Sequence, residues 1–85
     1  MNYSIDQQTR VILSEKTPLK VDFDRIQSCE SLSGLGINSI DFIKVAVEIE
    51  VVFGITISED DLDLEKLDTI DDIVKFVTEQ MSIRK

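Results

Sequence analysis

The longest unbroken helical pattern in the chain runs from Ser39 to Phe53, with no Gly, Pro or turn cluster after the polar stretch that holds Ser31, Ser33, Gly34 and Gly36. At 100° per residue, Phe42, Ala46, Ile49 and Phe53 share one side, flanked by Val45 and Val52. That stripe is the expected core face. Ile40, Val47 and Val51 gather on a different side, and Ile43 lies between the two stripes, nearer the second. Asp41, Lys44 and Glu48 separate the stripes along one border and Glu50 along the other. A helix with two apolar stripes is either buried on both sides or presents one of them to a partner. Gly54 is a natural stop for it.

The remaining pattern predicts helices on either side. Ser4 opens the first, with Gln7 at the capping-box position. Ile5, Ile12 and Leu13 fall near one face of it and Val11 at the border. It fades near Glu15 and Lys16, because Pro18 biases Thr17 away from helix. Residues 17–38 form a long connection whose Leu19, Val21, Phe23, Ile26, Leu32 and Leu35 are expected to fold down onto the core. Ile55-Thr56-Ile57 alternates like a strand but is too short to stand alone, so an extended loop is expected. Ser58 is set to cap a short helix near Glu59 to Leu64, with Asp61 at its capping-box position. Thr69 is set to cap the last helix, with Asp72 in the same relation. That helix continues through Ile70, Ile73, Val74, Val77 and Met81 and ends at Arg84-Lys85, which suits the helix dipole. The sum is an all-α fold: a small four-helix bundle of three longer helices and one short one, with a long loop between helices 1 and 2.

Length and charge narrow the function. At 85 residues the chain is expected to be one domain, 1–85, too small for an enzyme core plus a substrate domain. A hydrophobic fraction of 42% argues against disorder despite the net charge of -8. That charge disfavours nucleic acid and anionic membranes and favours partners with basic docking patches. Met1 to Asp6 shows no basic segment followed by an apolar run, so no signal peptide is expected. No apolar stretch approaches ~20 residues, so no membrane span is expected. Cys29 is the single cysteine. A soluble, cytoplasmic monomer fits these facts.

Candidate chemistry is sparse. The chain has no histidine, which removes Ser-His-Asp and Cys-His arrangements and any histidine-containing metal site. Cys29 has no activating neighbour in sequence, so an incidental thiol is expected. Eight acids and only Lys66 among the bases lie between Glu59 and Asp72. Asp61-x-Asp63-x-Glu65 has the alternation of a calcium loop, but Lys66 stands where the turn glycine is required, so a solvated acidic face and no metal site is the expectation. Ser39 stands out instead. It sits where loop becomes helix, where its hydroxyl can cap the first turn or carry a phosphate group at the positive end of the dipole.

The residues around Ser39 resemble the acyl and peptidyl carrier protein family. Its signature is Leu-Gly, a short gap, a serine followed by an aliphatic residue, then a helix ending in Glu-x-x-Phe. Here these are Leu35-Gly36, Ser39-Ile40 and Glu50-Val51-Val52-Phe53. Residues 21–26 and 30–32 resemble the family's long first loop, 54–62 its link between second and third helices, and 68–74 the start of its last helix. The resemblance implies a non-enzymatic carrier with 4′-phosphopantetheine on Ser39, flanked by Asn38, and a thioester-bound acyl, aminoacyl or peptidyl cargo. It implies a phosphopantetheinyl transferase and cargo-loading and processing enzymes as partners. Ile40, Val47 and Val51 become an apolar docking stripe, with Asp41, Lys44 and Glu48 as its polar members, and Ile43 and Phe53 border a space for cargo. The commonest fatty-acid form of the motif has an aspartate where Asn38 stands, and acids are frequent in fatty-acid carriers where Lys44, Val51 and Val52 stand here. Polyketide or nonribosomal peptide assembly is therefore the expected pathway, with fatty-acid synthesis as the alternative. An unmodified helical interaction module or calcium-responsive regulator is the alternative of another class.

Overall fold

The computed structural model describes residues 4–58 and 60–83, the last of these by its backbone alone. The N-terminal Met1 to Tyr3, Glu59 of the acidic run and the terminal Arg84-Lys85 lie outside the described residues. Three α-helices form: α1, Ile5–Lys16; α2, Ser39–Phe53; and α3, Ile70–Ile83. Helix α1 lies against both others. No helix among the described residues is long and apolar enough to cross a membrane.

Local chemistry sets the helix ends. Ser4 Oγ accepts from the Gln7 N–H at 3.1 Å, and Thr17 leaves the helix in an extended conformation just before Pro18. Gly54 ends α2 at φ 67°, a conformation that costs a glycine little, and its N–H donates to the Glu50 carbonyl. Thr69 Oγ1 accepts from the Asp72 N–H at 2.9 Å at the start of α3.

The core joins Ile12 and Leu13 of α1, Phe42, Val45, Ala46 and Ile49 of α2, and Ile70, Ile73 and Val77 of α3. The long loop adds Phe23, Leu32 and Ile37, all buried, with Leu19, Val21, Ile26 and Leu35 packed against them. Ile37 was absent from the sequence-based core. Val52 departs from its expected flanking place and is 42% exposed. Buried Thr9 and Thr17 satisfy their hydroxyls on the carbonyls four residues back.

Arg10 fastens the loop to α1. Its Nη1 donates to the carbonyls of Phe23 at 2.6 Å and Ile26 at 2.7 Å, while Nε pairs with Asp6 at 2.6 Å. Further along, Ser33–Leu35 forms a 3₁₀ turn that the sequence pattern did not predict.

The short helix expected near Glu59 to Leu64 is not present among the described residues. Two turns stand in its place. The N–H groups of Asp61 and Leu62 donate to the Ser58 carbonyl, and those of Lys66 and Leu67 to the Asp63 carbonyl. Aspartate chemistry separates them, because Asp63 Oδ1 accepts from the Glu65 N–H, a local bond that competes with helix. Leu62 and Leu64 are both packed against the core. On a helix, residues two apart face different ways, so the turns allow what a helix would prevent.

Candidate functional site

Ser39 is the first residue of α2 and not its cap. The cap is Asn38, whose Oδ1 accepts from the Asp41 N–H at 2.8 Å. Of the two roles open to Ser39 in the sequence, capping is thus taken by Asn38. Ser39 is exposed, and among the described residues nothing bonds its hydroxyl. The Ser39 and Ile40 N–H groups at this helix start likewise have no acceptor among the described residues. An anionic group on Ser39 Oγ would meet free donors and the positive end of α2.

A cleft of about 630 Å³ opens beside Ser39. Phe42, Ile43, Leu62 and Leu64 give it apolar walls, and Asp63, Glu65 and Asp68 add carboxylates. Those carboxylates repel an anion, which favours the helix start over the cleft for a phosphate. Phe53 does not line this cleft. It is packed on the core, whereas Ile43 lines the cleft.

Asp68 fixes one wall. Its Oδ2 accepts from Ser31 Oγ at 2.5 Å and its Oδ1 from the Ser33 N–H at 2.9 Å. The Leu32 N–H donates to the Asp68 carbonyl at 2.6 Å. Ser31 Oγ also accepts from the Gly34 N–H. These bonds tie the loop leading to Ser39 to the residues before α3. Burial alone would raise the Asp68 carboxyl, but bonds from the Ser31 hydroxyl and from the Ser33 N–H and hydroxyl outweigh it and hold the pKa below the ordinary value. A lowered folded-state pKa stabilises the fold above the ordinary carboxylate value of about 4, and that contribution is lost as pH falls through the folded value. The acid limb of the wild-type melting curve should therefore be steeper than that of Asp68→Asn, which keeps an acceptor for Ser33. Equal acid slopes in thermal melts from neutral pH to pH 3 would show that the clamp carries no linked proton.

The residues expected to form a docking stripe differ in exposure. Ile40, Val47 and Val51 are 68%, 53% and 72% exposed, and Ile43 is 47% exposed. Lys44 is exposed among them. Asp41 is instead buried at 7% exposure, because it sits one turn before fully buried Val45 on that side of α2. It is therefore not displayed beside the stripe as expected. Glu48 is half-buried and faces Lys16 of α1 at 3.6 Å. Cys29 is a free, exposed thiol. In the acidic segment, Asp61 Oδ2 accepts from Ser58 Oγ, and Lys66 Nζ donates to the Asp60 carbonyl.

With this geometry, comparison with known proteins places the chain. The family described as the phosphopantetheine attachment site matches residues 10–77. An acyl carrier protein of Thermotoga maritima is 32% identical over 78 residues, which cover 91% of each chain. The chain belongs to the phosphopantetheine-binding carrier family. It is a carrier of 4′-phosphopantetheine, not a catalyst, and biosynthetic enzymes are its partners.

Proposed function

We propose that Ser39 is the attachment point of the 4′-phosphopantetheine arm and that a phosphopantetheinyl transferase installs it from coenzyme A. The observation that carries this is the exposed Ser39 hydroxyl, free of protein bonds, at the start of α2 and the mouth of the cleft. In the transfer, the hydroxyl oxygen bonds the phosphorus next to the pantetheine, the pyrophosphate bond of coenzyme A breaks, adenosine 3′,5′-bisphosphate leaves with that bond's electron pair, and the hydroxyl proton passes to a base of the transferase or to water. Asn38 holds the first turn, and the Ser39 and Ile40 N–H groups would be available to the phosphodiester. The arm's thiol supplies the thioester that holds the cargo, and Phe42, Ile43, Leu62 and Leu64 offer that cargo an apolar surface.

The outer face of α2, with Ile40, Val47 and Val51, is the docking surface for loading and processing enzymes in this reading. Lys44, Val51 and Val52, all exposed where fatty-acid carriers frequently have acids, support polyketide or nonribosomal peptide assembly over fatty-acid synthesis. A single core spread over the described residues supports one domain across 1–85. A monomer and its cytoplasmic placement belong to the same proposal.

Incubation with coenzyme A and a broad-range transferase should add one phosphopantetheine mass to the wild type and none to Ser39→Ala. Because Asn38 makes the cap, Ser39→Ala should melt within ~0.5 kcal/mol of the parent. A mass gain on the alanine variant, or none on the wild type with several transferases, would refute the assignment.

A further inference from the structure

The exposed side of α2 differs in charge from the chain as a whole. The net charge is -8, yet the one charged side chain at a fully exposed position of α2 is Lys44. Asp41 is buried. Glu48 faces Lys16 at 3.6 Å. Glu50 Oε2 accepts from the Ile57 N–H at 2.7 Å, which ties that acid to the loop after the helix. Lys44 is exposed, and among the described residues no acid pairs with it. It stands four residues after Ile40 and three before Val47, so the three are surface neighbours. Ile43, Lys44 and Val47 line one shallow groove of about 330 Å³ with Lys16 and Glu48. That groove sets two ammonium groups against one carboxylate.

Any socket that covers Ile40, Val47 and Val51 must also meet Lys44. A cationic socket would put like charges together at a desolvated contact, which penalises the wrong partner. A purely apolar one would strip water from an ammonium group with no compensation. We propose that this face docks on partner enzymes whose socket is apolar and bears a carboxylate set to meet Lys44, and that Lys- and Arg-rich sockets are rejected. The proposal rests on the reading that partners approach the Ser39-borne arm along α2. Ile43 divides this groove from the cleft beside Ser39; Asp63, Glu65 and Asp68 line the cleft, whereas the charged groups lining the groove itself are Lys16, Lys44 and Glu48.

The test begins with wild type and Lys44→Glu, each driven to full modification by coenzyme A and a broad-range transferase and checked by intact mass. A wild type without mass gain counts against the Ser39 assignment and leaves the charge argument to binding of the unmodified chain, read by calorimetry with the same enzymes. The modified proteins are then titrated against purified acyl- and aminoacyl-loading enzymes of two kinds, those with apolar sockets bearing a carboxylate and those with Lys- and Arg-rich sockets. The first kind should load the wild type better, and Lys44→Glu should lower its kcat/KM by about tenfold or more. Exchanging the socket carboxylate for lysine should restore the variant. Thermal melts of wild type and variant should coincide. Better loading by the basic sockets, indifference to Lys44→Glu, or no loading by any enzyme of the first kind would each overturn the proposal.

Discussion

Ile49→Asp should leave the chain unfolded at neutral pH, while Val47→Asp should melt close to the parent. The two positions are two residues apart on α2 and receive the same carboxylate, so helix propensity cannot separate them. Ile49 is 3% exposed within the core cluster, whereas Val47 is 53% exposed. A buried unpaired carboxylate costs several kcal/mol, comparable with the whole stability of a small domain. An exposed substitution usually stays within ~0.5 kcal/mol. Helical circular dichroism during thermal melting reads the difference directly. On the docking proposal, Val47→Asp should keep its fold yet be loaded poorly by partner enzymes. If Val47→Asp unfolds as readily as Ile49→Asp, the outer stripe is core and docking must occur elsewhere.

Arg10→Met should lower stability by about 2–3 kcal/mol, since hydrogen bonds to charged groups contribute about 1.5–3 kcal/mol each and are not additive. The substitution keeps the apolar stem but removes the donors to the Phe23 and Ile26 carbonyls and the pairing with Asp6. For a domain of this size the melting temperature should fall by about 10–20 °C. Arg10→Lys should recover only part of the loss, because one ammonium lacks the planar fork that reaches these acceptors together. Limited proteolysis should then show early cleavage near residues 22–26. A melting temperature unmoved by Arg10→Met would mean that Phe23 alone, through its buried ring, holds the loop in place.

The helix ends were legible because each is marked by a residue whose chemistry acts locally: Ser4, Gly54 and Thr69. The two stripes of α2 were legible because periodicity needs no partner to be seen. Ser58 and Thr69 show the limit of local signals. Both precede an aspartate at capping-box spacing, yet only Thr69 starts a helix. After Thr69 come Ile70, Ile73, Val74 and Val77 at helical spacing. After Ser58 come Leu62, Leu64 and Leu67, which reach the core together only if the chain turns. The burial of Asp41 and the pairing of Glu48 with Lys16 were not legible, because both depend on what packs beside α2. The Asp68 clamp was equally hidden, since its partners Ser31 and Ser33 lie more than thirty residues away in sequence.

The division of labour between Asn38 and Ser39 has a consequence for turnover. Had the serine closed the first turn, esterifying its oxygen would have weakened the helix at each installation of the arm. With the acceptor one residue earlier, the capping bond leaves Ser39 Oγ out, and an arm attached there would not have to break it. On the proposed Ser39 assignment, the unmodified chain would close its first turn as fully as the armed one.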